Sequence, residues 1–84
     1  MFTNVDAELT TKIQAALAAA LQIPVEQVTP DLSFGDLPQW DSMGHMEVML
    51  RLEEHFGVET NPDTIAALTS FHSICTYSKE NGHA

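Results

Sequence analysis

The chain has 84 residues, 44% of them hydrophobic, and sets 12 acidic side chains against 3 basic ones for a formal net charge of −9. A chain this short supports one small core, so residues 1–84 are read as a single domain. The charge excludes a nucleic-acid backbone or an anionic membrane surface as partner and favours proteins with basic patches. A lone cysteine, Cys75, excludes an intramolecular disulfide and points to a reducing compartment. The opening MFTNVDAELTTK lacks a basic region leading into an apolar run, and AALAAAL (15–21), the longest wholly apolar run, is too short for a bilayer. A cytoplasmic protein is expected.

From about Asn4 to Gln22, Leu9, Ile13, Leu17 and Leu21 recur every four residues, backed by Ala16 and Ala20. That spacing predicts an amphipathic helix, ended by Ile23-Pro24 because the residue before proline is pushed out of helical geometry. The segment PVEQVTPDLSFGDLPQW carries three prolines and a glycine with isolated apolar anchors at Val25, Val28, Leu32, Phe34 and Leu37. A long loop pinned to the core is predicted, with VEQV able to form a helical turn. A second helix starts at Asp41 or Ser42, either of which can cap it, and runs to about Phe56, where Gly57 stops it. Asn61-Pro62 opens a short third helix to Leu68. Thr69-Ser70 can cap a last one with Phe71, Ile74 and Cys75 on one face. The expected fold is all-α, a small four-helix bundle with a long first loop and a short third helix.

The second helix has two apolar sides. At about 100° per residue, Val48, Met49, Leu52 and Phe56 share the side that docks on the first helix. Met43, Met46 and Leu50 fall roughly opposite, flanked by Glu47, Glu53 and Glu54. A helix buried on both sides with a solvated acidic rim is one reading. The other is a docking surface in which adaptable methionines make contact and acids steer a basic partner, and the small interior available favours it. Ser42 sits at the helix N-terminus, where outward N–H groups and the helix dipole favour a phosphate on its hydroxyl; the plainer reading, usual for Asp-Ser before a helix, is that the hydroxyl merely caps those N–H groups. Gly44 removes a side chain from the same turn, leaving room for a large group or an enzyme to approach.

Other chemistry is poorly supported. Ser42 and His45, three apart, lack an orienting acid and an oxyanion site. His72 and Cys75 lie one turn apart, but two ligands do not make a zinc site; His72 is read as a surface residue and Cys75 as a small buried hydrophobe. The acids of DLSFGDLPQWD do not match a calcium loop, and no glycine-rich phosphate loop is present. Trp40 is read as a core plug under the loop or as a lip beside the serine. Neither a metal nor a catalytic residue is expected.

DSMGHMEVMLRLEEHFGV, with SFGDL upstream, resembles the acyl and peptidyl carrier proteins of fatty-acid, polyketide and nonribosomal peptide synthesis. Phe34, Leu37 and LTSFHSICTY also fit that layout, so the resemblance spans nearly the whole chain. It implies that Ser42 is esterified by 4′-phosphopantetheine from coenzyme A and that the arm's thiol carries an acyl or aminoacyl group as a thioester. It implies that Asp41, Met43, Met46, Glu47, Leu50, Glu53 and Glu54 form the partner face. The partners it implies are a phosphopantetheinyl transferase, an acyl-loading enzyme, and synthases or transferases with basic docking patches. A discrete, monomeric acyl carrier is expected, itself no enzyme. Gly44-His45 lacks an acid frequent in fatty-acid carriers, Trp40 replaces a small residue, and DSM occurs in D-alanine carriers; an aminoacyl carrier or an unmodified helical adaptor are the alternatives. Met49, Leu50 and Ile65 are the expected lining for a folded-back acyl chain.

Overall fold

The computed structural model describes residues 4–80, with side chains from residue 7 onward; the first three residues of the N-terminal stretch considered as a signal lie outside the described residues. Four helices follow in order: α1 (Asn4–Leu21), α2 (Ser42–Phe56), α3 (Pro62–Ala67) and α4 (Phe71–Glu80), with a 3₁₀ turn at Val25–Gln27. No strand occurs among the described residues beyond an isolated antiparallel bridge, Ser33 to Ser70. The expected all-α bundle with its long loop and short α3 is present. No helix among the described residues is long and apolar enough to cross a membrane.

α1 packs against α2 and α4. Its stripe supplies Ile13, Leu17, Ala20 and Leu21; α2 adds Val48, Met49 and Leu52, and α4 adds Phe71 and Ile74, all buried. Val28, Leu32 and Trp40 enter the same cluster from the loop, and Val58 and Leu68 from the connections around α3. The loop is held by polar ties as well as apolar anchors. Gln14 Nε2 donates to the carbonyls of Val25 (3.1 Å) and Val28 (3.0 Å). Phe34 N–H donates to Thr69 O (2.8 Å) and Phe71 N–H to Leu32 O (2.9 Å), which clamps the loop to the α3–α4 connection.

Local chemistry ends each helix. α1 stops one residue earlier than Pro24 alone predicts, because Gln22 adopts a left-handed φ of 59°. Ile23 N–H then donates back to Ala18 O at 3.0 Å, a six-to-one closure. α2 ends on Gly57 (φ 70°), with Val58 N–H reaching Leu52 O and its side chain buried. α3 opens on a reciprocal capping box between Asn61 and Thr64. Of the two candidate caps for α4, Ser70 acts: its Oγ accepts from Ser73 N–H at 3.0 Å.

Two anchors behave differently from expectation. Val25 and Phe34 are 40% and 42% exposed. The 3₁₀ turn and the bridge at Ser33 fix the backbone by hydrogen bonds, so these side chains are free to face outward. Cys75 is only half-buried rather than a core residue. Burial still raises its thiol pKa above the usual value, while a hydrogen bond with Thr10 and the charge of Lys79 pull the other way.

Candidate functional site at the N-terminus of α2

The first turn of α2 is built around Asp41. It is the N-cap, its carboxylate accepting from Gly44 N–H at 2.9 Å while its carbonyl accepts from His45 N–H at 2.8 Å. Ser42, one of the two expected caps, is instead the first helical residue, its side chain exposed and uncommitted to capping. Gly44 does not face the approach to Ser42. A Cβ there would collide with the carbonyl oxygen of Gln39 and come within 3.2 Å of Leu21 Cδ2, so the glycine lets the incoming loop lie against the helix. This corrects the expectation that it makes room for a visiting group.

Below the serine lies a buried polar contact. Trp40, fully buried, is a core plug and not a lip. Its indole N–H donates to His45 Nδ1 at 3.0 Å, and His45 Nε2 lies 2.8 Å from the carbonyl oxygen of Ile65. Indole can only donate, so Nδ1 carries no proton and Nε2–H donates to Ile65 in the neutral ring. Both imidazole nitrogens are occupied, and the ring is only 5% exposed. His45 therefore has no free lone pair with which to act as a base on Ser42. The helical wheel sets His45 on the stripe of Val48, Met49 and Leu52; that signal could have marked it as inward-facing from sequence.

Beside Ser42 runs an open groove of about 320 Å³, lined by Phe34, Ser42, His45, Met46, Ile65 and Thr69. Phe34 meets the His45 ring edge-on, with centroids 5.6 Å apart. Of the three residues expected to line a cargo site, Ile65 is on the wall of this groove. Met49 is fully buried in the core instead, and Leu50 stands out on the helix face. A second groove, of about 420 Å³ with Lys12, Arg51, His55 and Phe56 on its walls, lies towards the other end of α2.

The remaining residues of the expected face are brought together on the outside of α2. Met43, Met46 and Leu50 are 81%, 45% and 48% exposed, and Asp41, Glu47, Glu53 and Glu54 are exposed as well. Glu53 accepts from Thr60 Oγ1 at 3.3 Å. Large apolar side chains left in water within a ring of carboxylates suit contact with a partner that is apolar at its centre and basic at its rim. Among the described residues no three His, Cys, Asp or Glu side chains converge as metal ligands.

The site suits a phosphodiester-linked arm. An exposed hydroxyl sits at the positive end of a four-turn helix, and an apolar groove opens next to it. The sequence profile of the family described as "Phosphopantetheine attachment site" matches residues 11–78, from the second turn of α1 through most of α4. The chain is 30% identical to an acyl carrier protein of Thermosynechococcus vestitus over 70 residues, covering 83% of this chain and 86% of that one. It is 32% identical to an acyl carrier protein of Helicobacter pylori strain G27 over 69 residues (82% and 88%). With an acyl carrier protein of Rubrobacter xylanophilus it shares 31% over 74 residues (88% and 91%). Family profile, relatives and fold agree: the chain belongs to the family of carrier proteins that hold a covalent 4′-phosphopantetheine and serve enzymes without being catalysts themselves.

Proposed function

We propose that Ser42 is the attachment point of the arm and that the protein is a discrete, monomeric acyl carrier of the cytoplasm, working in fatty-acid, polyketide or related biosynthesis. Residues 1–84 act as one carrier domain in this reading. The observation that carries it is the exposed Ser42 hydroxyl, left free because Asp41 does the capping, at the head of a helix whose outer face is apolar and acidic. On loading, Ser42 Oγ gives its proton to the transferase and forms a bond to phosphorus, while the pyrophosphate link of coenzyme A breaks and the nucleotide half leaves. Once bound, the arm supplies a thiol that holds an acyl group as a thioester. The protein's own residues bind and orient. Met43, Met46 and Leu50 supply the contact area for transferase, loading enzyme and synthase. Asp41, Glu47, Glu53 and Glu54 steer their basic patches.

The test is intact mass after incubation with a phosphopantetheinyl transferase and coenzyme A. The native chain gains one phosphopantetheine; Ser42→Ala gains none while keeping its melting temperature within a few degrees, since no cap is lost. A Ser42→Ala chain that still gains the mass would place the attachment elsewhere.

A further inference from the structure

We propose that His45 is a positioning residue for loading at Ser42, acting through the hydrogen bonds it makes to Trp40 and Ile65. The inference rests on the attachment reading of Ser42 and extends it to a residue that does not itself react. The Trp40–His45 bond ties the residue two before the serine to the residue three after it, closing a short loop of chain over which Ser42 is exposed. That closure is rigid at both ends. Trp40 has no solvent exposure, and His45 is anchored from its far nitrogen to the backbone of α3, twenty residues on. Gly44, between them, lies against the Gln39 carbonyl and leaves the turn no room to shift inward.

The serine is therefore mobile only at its side chain, with its backbone held by contacts on either side. His45 also supplies part of the wall of the adjoining groove, and Phe34 packs edge-on against it. A phenylalanine at this position would fill the same space but leave the Trp40 N–H and the Ile65 carbonyl without partners in a buried site. The pair could regain them only by moving, and the backbone at Ser42 would move with them. A glutamine, by contrast, offers an oxygen that accepts from Trp40 and an NH₂ that donates to Ile65.

The experiment measures kcat and KM of a phosphopantetheinyl transferase with the native carrier, His45→Phe, His45→Gln and Trp40→Phe, at a temperature where circular dichroism shows each variant folded. Misplacing the nucleophile lowers kcat, while partial unfolding removes competent carrier and raises apparent KM. His45→Phe is expected to lower kcat by roughly tenfold to a hundredfold with KM within about twofold, and Trp40→Phe to follow in the same direction. His45→Gln should recover most of the loss. A His45→Phe chain loaded at the native kcat overturns the proposal. So does a glutamine variant no better than phenylalanine. Should His45→Phe fail to fold at any accessible temperature, Trp40→Phe decides, and a native kcat there overturns the proposal too. A native chain that takes no arm overturns the attachment reading along with this one; native loading with indifferent variants overturns this one alone.

Discussion

Asp41 and Ser42 stand next to each other and either can cap a helix, yet the chain uses the carboxylate and leaves the hydroxyl in water. Asp41→Ala should therefore cost roughly 0.5–2 kcal/mol of stability in denaturant melts, whereas Ser42→Ala costs little. Two residues on, Gly44 sets helix propensity against packing. Alanine there gains up to about 1 kcal/mol of propensity over glycine in a helix interior. Its methyl would meet the Gln39 carbonyl, a backbone atom that cannot swing aside as a flexible side chain can. Overpacking of this kind typically costs about 1–3 kcal/mol, so Gly44→Ala is expected to be a net loss, read as a lowered midpoint in urea. A more stable alanine variant would show that the loop before α2 yields freely.

At the level of the helix, α2 divides its residues by angle. Val48, Met49 and Leu52 have no exposure, while Met43, Met46 and Leu50 remain in water a few positions away. Leu52→Ala opens a cavity in a filled core and should cost roughly 2–5 kcal/mol. Met46→Ala should shift stability by no more than about 0.5 kcal/mol, because little packing is lost. Its effect should appear instead in transferase kinetics, and charge reversal at Glu47 or Glu54 should act the same way. Melting curves and loading rates measured on the same variants separate the two faces. A Met46→Ala chain that unfolds while Leu52→Ala does not would mean that the helix is turned the other way in solution.

For the whole molecule, charge is expected to govern encounter more than folding. Twelve acids against three bases leave a field that attracts basic surfaces over about a Debye length, roughly 8 Å at physiological ionic strength. The carboxylates around the methionines are exposed and so are screened by salt. Association with the loading transferase should slow as salt rises from low to molar levels, while the melting temperature changes far less. An association rate indifferent to salt would remove the steering role of these acids and leave the apolar contacts as the whole of the attraction.

The elements were legible in the sequence because helix signals are local. A four-residue repeat in α1, Asn61-Pro62, Ser70 and Gly57 each act within one turn of chain, and the outward angle of Met43, Met46 and Leu50 follows from 3.6 residues per turn. Ser42 at the head of α2 was legible for the same reason. What surrounds it was not. The loop from Val28 to Trp40 has no period, so its route over the core, which leaves Phe34 outside and Trp40 inside, is set by contacts with residues distant in sequence. Ser33 meets Ser70, Gln39 meets Gly44, and His45 reaches Ile65 only once α3 has docked. The local pattern therefore determined which hydroxyl is presented and on which helix, while tertiary packing decided why the glycine of its first turn is needed and which buried contacts lie beneath the serine.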